Sequence, residues 1–175
     1  MKHFSTYQVD PATILHVTSS GTHDSVKPTL LFLHFWGGSS RTYFSTISHL
    51  SPKFHCIAVD FRGWGSSTGP AMPTLYSTSL VEDMLKGNKS AKAAWPEHAM
   101  GEDIVEQAEK INVPVLVIGG GKDIVEPVDR LRKEVLGRIS GAELEVIEGS
   151  GHLLPVEYPE LVARNIEDFT ARIIA

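Results

Sequence analysis

Cysteine is almost missing from this sequence: Cys56 is the only one in 175 residues. No disulfide can close within the chain, which fits a reducing compartment. No apolar run approaches the roughly 20 residues that a membrane span needs. The opening Met-Lys-His-Phe-Ser-Thr-Tyr-Gln has no apolar core of the kind a signal peptide carries. A cytoplasmic protein with no membrane partner is the expectation. Basic charge is also short. Sixteen Lys and Arg stand against 21 Asp and Glu, for a formal charge of −5, so nucleic acid is excluded as a partner.

Metal and nucleotide sites lack their signatures as well. The eight histidines are scattered, with no His-Glu-x-x-His or paired metal spacing. Gly119-Gly-Gly-Lys-Asp lacks the glycine spacing, and the Ser or Thr after lysine, that a phosphate loop requires. No cofactor and no metal are implied. What remains is an ordinary soluble composition and a length suited to one domain over residues 1–175.

The most informative stretch runs from Val113 to His152. Val113–Ile118 and Leu144–Ile147 are short β-branched apolar runs, as strands covered on both faces should be. Between them Val128–Leu136 has helical spacing, with Val128, Leu131 and Val135 on one face. A β-α-β unit follows, with parallel strands and a right-handed crossover. Asp123 and His152 then leave the carboxyl ends of neighbouring strands, the edge where open α/β sheets build their sites. The two side chains can meet there.

Earlier in the chain, residues 4–18 alternate loosely around Asp10-Pro11-Ala12 and read as a hairpin of two edge strands. Thr29–His34 reads as a buried strand ending in Phe35-Trp36-Gly37-Gly38-Ser39-Ser40. A helix from about Thr42 to Leu50 follows, with Phe44, Ile47 and Leu50 on one side. Phe54–Asp60 is the next strand and runs into Phe61-Arg62-Gly63-Trp64-Gly65-Ser66-Ser67. Helices are expected over Thr78–Lys86 and from about Glu102 to Lys110.

Four loops together resemble the α/β-hydrolase fold family, of the esterase and lipase type. Gly120-x-x-Asp123 is similar to the family's acid loop, and Gly149-Ser-Gly-His152-Leu-Leu-Pro-Val-Glu-Tyr-Pro-Glu to its base loop. His34-x-x-Gly-Gly is similar to the oxyanion loop, with Phe35 where glycine is commonest. Asp60-x-Arg-Gly-x-Gly-x-Ser is similar to the loop after the fourth strand. The resemblance implies a mostly parallel sheet flanked by helices, and hydrolysis of esters or related bonds of small molecules by a Ser-His-Asp triad. It makes His152 the base, Asp123 the acid, and the backbone N–H of Trp36 an oxyanion donor beside Phe35.

One part of the family pattern has no counterpart. After the helix ending near Lys86 the family continues with a strand and a Gly-x-Ser-x-Gly nucleophile elbow. Here Lys86-Gly-Asn-Lys-Ser-Ala-Lys-Ala-Ala-Trp-Pro follows instead. The chain reads as the family fold with its central strands and cap absent, joined near residues 86–90.

No other residue replaces the serine. Ser67 completes a Gly-x-Ser-x-Gly string, but no apolar strand runs into it and Pro70 stands where a helix should begin. Ser150 belongs to a glycine turn, Ser39 and Ser40 suit helix caps, and Cys56 sits inside a strand where burial keeps a thiol inert. Glu126, the rival acid, falls at the start of a helix. The expectation is a hydrolase-family protein with base and acid but no nucleophile elbow, its activity weak or lost. The alternative is a non-catalytic binding protein, docking or dimerising through a sheet edge that the missing strands leave open.

Overall fold

The computed structural model describes residues 2–68, 83, 85, 87–97 and 101–174. It divides into two compact units, Met1–Glu102 and Asp103–Ala175, each with its own sheet.

In the first unit Lys2–Asp10 (β1) and Thr13–Ser20 (β2) form the expected hairpin. The Asp10 carboxylate accepts the Ala12 N–H at 2.8 Å, the local bond that makes Asp a turn former. Strands β3 (Thr29–Leu33) and β4 (His55–Val59) complete a sheet of order β1-β2-β4-β3. The hairpin expectation needs one correction. Only β1 is an edge, because β2 also pairs antiparallel with β4, Val17 opposite Val59.

Strands β3 and β4 are parallel. A 3-10 turn, Ser40–Tyr43, and helix α1, Phe44–Leu50, make their crossover. Leu50, Ile47, Cys56, Ala58 and Phe32 form the buried core of this unit. Contrary to expectation, β3 is not covered on both faces: Leu31 is 59% and Leu33 52% exposed. Period-2 geometry explains the split, since Phe32 points one way and its two neighbours the other. Helix α2 spans Lys89–Glu97. The helix expected over Thr78–Lys86 lies mostly outside the described residues.

The second unit holds the β-α-β. Strands β5 (Leu116–Gly120) and β6 (Glu143–Ile147) pair in parallel, Leu116 opposite Glu143. The first starts later than Val113, which is itself exposed. Pro114 has no N–H to give the ladder, and the first bond runs from Glu143 N–H to Val115 O at 2.9 Å. The crossover is helix α4, Val128–Leu131, continued by a π turn over Arg132–Leu136. Its span matches the periodicity, and Leu131 packs against the bare Cα of Gly119.

The helix expected over Glu102–Lys110 shrinks to one turn, α3, Val105–Ala108, which buries no residue. So short a helix without a packed face has little to extend it. A second short helix, α5 (Leu154–Glu157), leads into α6, Pro159–Ile173. Val162 and Ala163 of α6 join Ile139 and Ile147 in the core of this unit.

Candidate active site

Two glycine loops of the second unit carry the candidate base and acid. The loop after β5 and the loop after β6 are stitched together by backbone bonds. Gly121 N–H donates to Ile147 O at 3.0 Å and Lys122 N–H to Ser150 O at 2.8 Å. Gly120 makes this approach possible. A Cβ there would lie 2.2 Å from Gly151 O and 2.8 Å from Ser150 O, well inside any tolerated contact.

The stitching brings His152 and Asp123 together. Nδ1 of His152 lies 2.9 Å from Oδ2 of Asp123. The other carboxylate oxygen, Oδ1, accepts Val125 N–H at 2.8 Å and Glu126 N–H at 3.0 Å. Burial of this side chain, 5% exposed, works against ionisation. The bonds from Glu126, His152 and Val125 outweigh it and hold the Asp123 pKa below the ordinary carboxylate range. An ionised Asp123 only accepts, so Nδ1 of His152 carries a proton, and in the neutral ring Nε2 is then the nitrogen with the free lone pair.

That ring nitrogen is the chemically useful one. The His152 side chain is 47% exposed, and no hydroxyl or thiol among the described residues hydrogen-bonds it. Glu126, the rival acid, instead pairs with Arg130 at 3.5 Å on the surface.

Glu157 is the residue that sequence reasoning missed. Its carboxylate accepts Gly151 N–H at 2.7 Å and Leu153 N–H at 2.9 Å, one on each side of His152. Those two bonds hold its own pKa below the usual range. The only signal was a carboxylate five positions after the histidine within the base-loop match.

The first unit presents the candidate oxyanion loop. Gly38 N–H donates to Phe35 O at 3.0 Å, and Gly37 has φ +88°. This is the turn type that needs a positive φ at its third residue. His34, buried, donates from Nδ1 to Phe35 O at 2.7 Å and accepts Phe61 N–H on Nε2 at 3.0 Å. Both ring nitrogens are thereby assigned in the neutral form, and burial pushes the His34 pKa down. Trp36 N–H belongs to the same planar peptide as Phe35 O. With that oxygen turned toward His34 and Gly38, the trans peptide aims Trp36 N–H the opposite way. Among the described residues it has no acceptor.

Asp60 anchors the same loops. Its buried carboxylate accepts Ser40 N–H at 2.6 Å, Ser66 N–H at 2.8 Å and His16 Nδ1–H at 3.1 Å. Burial again opposes ionisation, but these bonds win and depress the Asp60 pKa. Trp64 meets Trp36 edge to face, with ring centroids 5.9 Å apart.

The candidate replacement nucleophiles are all engaged elsewhere. Ser67 is buried, donating to Asp60 O at 2.6 Å and accepting His16 N–H at 2.7 Å. Ser39 donates to Asp83 at 2.8 Å and caps the 3-10 turn through Arg41 N–H at 3.2 Å. Ser40 is buried beside Asp60. Ser150 is fully buried and directs its hydroxyl to Gly151 O and Glu157. Burial pushes the Cys56 thiol up to about 11. Among the described residues no cluster of His, Cys, Asp or Glu could hold a metal ion, and no helix is long and apolar enough to cross a membrane.

Comparison with known proteins bears on the family and the fold. The family model described as alpha/beta hydrolase fold matches residues 28–86. An uncharacterized hydrolase, YugF, of Bacillus subtilis is 35% identical over 131 residues, covering 67% of this chain and 46% of that protein. The 2-heptyl-3-hydroxy-4-quinolone dioxygenase AqdC2 of Rhodococcus erythropolis is 28% identical over 124 residues, 71% of this chain and 40% of that protein. The chain thus spans less than half the length of these curated relatives. Among solved structures, carboxylesterase CesB of Bacillus subtilis superposes with a TM-score of 0.76 at 16% identity, over 96% of this chain and 92% of that one. A bromoperoxidase of Bacillus anthracis gives 0.81 at 14% identity, over 97% and 100%.

The chain belongs to the α/β-hydrolase fold family. Relatives named as a hydrolase, an esterase, a dioxygenase and a bromoperoxidase share the fold, so the fold by itself does not choose the reaction.

Proposed function

We propose that this chain carries the base and acid of an ester-hydrolysing site without a serine nucleophile of its own. His152 is the base, Asp123 fixes its tautomer, and Trp36 N–H, next to Phe35, is the oxyanion donor by the family motif. Small-molecule esters are the substrate class, by family membership. Turnover is weak or lost, because a base with no hydroxyl to activate forms no acyl-enzyme. Any residual reaction runs through water: Nε2 of His152 takes a proton from water, the hydroxide adds to the carbonyl, and the departing alkoxide receives that proton.

The observation that carries this reading is the His152–Asp123 bond at 2.9 Å, with Asp123 braced by two backbone N–H groups. The engagement of Ser39, Ser67 and Ser150 supports the second half of it. Stopped-flow hydrolysis of p-nitrophenyl acetate tests both. The expected trace has no stoichiometric burst, and any rate above the buffer blank vanishes in His152→Ala. A burst, or a rate indifferent to His152→Ala, would contradict it.

A second reading, docking through a sheet edge, is favoured by β3. Among the described residues it pairs with β4 alone, and Leu31 and Leu33 stand exposed on it with no charged residue between them. A second copy of the chain is the partner it would take. Mass by size exclusion with light scattering would then read a dimer, and Leu31→Lys would return it to monomer. A monomer at all concentrations would end this reading.

A further inference from the structure

We infer that Glu157 is a positioning residue for His152, setting the direction of the ring through the backbone on both sides of it. The inference rests on the reading of His152 as the base. Gly151 and Leu153 flank the histidine, and their N–H groups reach different oxygens of one carboxylate, Oε2 at 2.7 Å and Oε1 at 2.9 Å. The Ser150–Gly151 and His152–Leu153 peptides, which bracket His152, are therefore tied to a single rigid planar group. The Ser150 hydroxyl, 3.4 Å from Oε2, adds a weaker contact on the same side.

The rest of the loop is fixed from the opposite direction. Ser150 O accepts Lys122 N–H at 2.8 Å, and Ser150 N–H donates to Ile147 O at 3.2 Å. With the backbone pinned on both sides of the histidine, the two side-chain torsions of His152 are the main freedom left to the ring. Asp123 then takes Nδ1 and removes that freedom as well.

Glu157 can do this because of where α5 ends. Tyr158 N–H closes the turn on Leu154 O at 2.8 Å, and the one-turn helix folds the last side chain back over the loop. Two acceptor oxygens are required. Glutamine offers one oxygen and one NH2, so one of the two flanking N–H groups would face a donor. Aspartate keeps the charge but is a methylene short of spanning both. Lowering of the Glu157 pKa by the same two bonds keeps the clamp ionised at neutral pH.

Proton NMR of histidine-labelled protein reads the outcome without needing turnover. The Nδ1–H of His152, assigned by its loss in His152→Ala, should give a sharp, slowly exchanging signal in the unmodified chain. Glu160→Gln removes the same charge from an exposed residue paired with Arg164 and should leave the signal unchanged. Glu157→Gln, with its fold verified by circular dichroism, should broaden the signal or abolish it. An unchanged signal in folded Glu157→Gln overturns the inference.

Should Glu157→Gln fail to fold, Glu157→Asp supplies the reading. Exchange of the His152 proton should accelerate at least several-fold, and an unaltered rate overturns the inference. The functional reading fails separately. A Glu157-dependent signal in a protein whose ester hydrolysis ignores His152→Ala keeps the positioning role while removing the base assignment.

Discussion

Asp123 divides its carboxylate between two tasks: Oδ2 holds His152 Nδ1 at 2.9 Å, and Oδ1 holds the N–H groups of Val125 and Glu126 at 2.8 and 3.0 Å. The division makes the acid rigid before it orients the base. It also makes asparagine a poor substitute. If Asn keeps its oxygen on the backbone, its NH2 faces a donor at His152; if it turns round, two N–H groups lose their acceptor. Asp123→Asn should cost about 1–3 kcal/mol of stability, the usual penalty for unsatisfied polar groups. The His152 Nδ1–H signal should vanish in the same variant. Urea unfolding and proton NMR check the two halves.

Gly120→Ala should be more disruptive than its single methyl suggests. The new Cβ would meet Gly151 O at 2.2 Å and Ser150 O at 2.8 Å, and both are backbone atoms with no rotamer to escape into. The base loop must move away from the acid loop, parting His152 from Asp123. The expected result is a lower melting temperature together with loss of the His152 signal. A normal signal in Gly120→Ala would contradict the packing described.

Asp60 organises the first unit through bonds from Ser40, Ser66 and His16 around a side chain only 3% exposed. Asp60→Ala leaves those donors with nothing to bond. A loss of about 3 kcal/mol is expected, in line with removal of one partner from a buried charged network. Hydrogen exchange localised to residues 34–40 and 60–68 would show that the loops, not the whole sheet, open first.

Acid should weaken the protein through the same carboxylates. Asp60 and Asp123 both have pKa values below the ordinary range when folded. Unfolded, they titrate near the usual value of about 3.9. Their contribution is therefore complete above that value and is lost as pH falls through the lower, folded pKa. Melting temperature should hold steady from neutral pH to about pH 5 and drop below about pH 4. Asp60→Asn and Asp123→Asn should each flatten the drop.

Cys56 should be silent toward thiol reagents. Its thiol is fully buried and its pKa pushed up to about 11, so the thiolate that reacts is scarce at neutral pH. A disulfide reagent should label it only after denaturation. Rapid labelling of folded protein would show that β4 opens readily.

Much of this was legible in the residues. Asp123 and His152 each follow an apolar run at a glycine loop, and parallel pairing of β5 with β6 does bring them together. His34 and Ser39 take the loop-shaping and capping positions their neighbours implied. Glu157 was harder to see, because a carboxylate beside a short helix gives no sign of which N–H groups it will reach. Exposure of Leu31 and Leu33 was hidden for a different reason. An apolar run such as Thr-Leu-Leu-Phe-Leu reports a preference for burial, and what packs on each face of the sheet decides whether both faces obtain it. The late start of β5 was in view, since Pro114 advertises a missing donor, but the apolar run on either side outweighed it.

The most direct test of the account is the intact mass of folded protein after treatment with a fluorophosphonate, which captures an activated serine. The account predicts no adduct on the folded chain. A stoichiometric adduct that disappears in His152→Ala would contradict it, and the mapped residue would name the nucleophile.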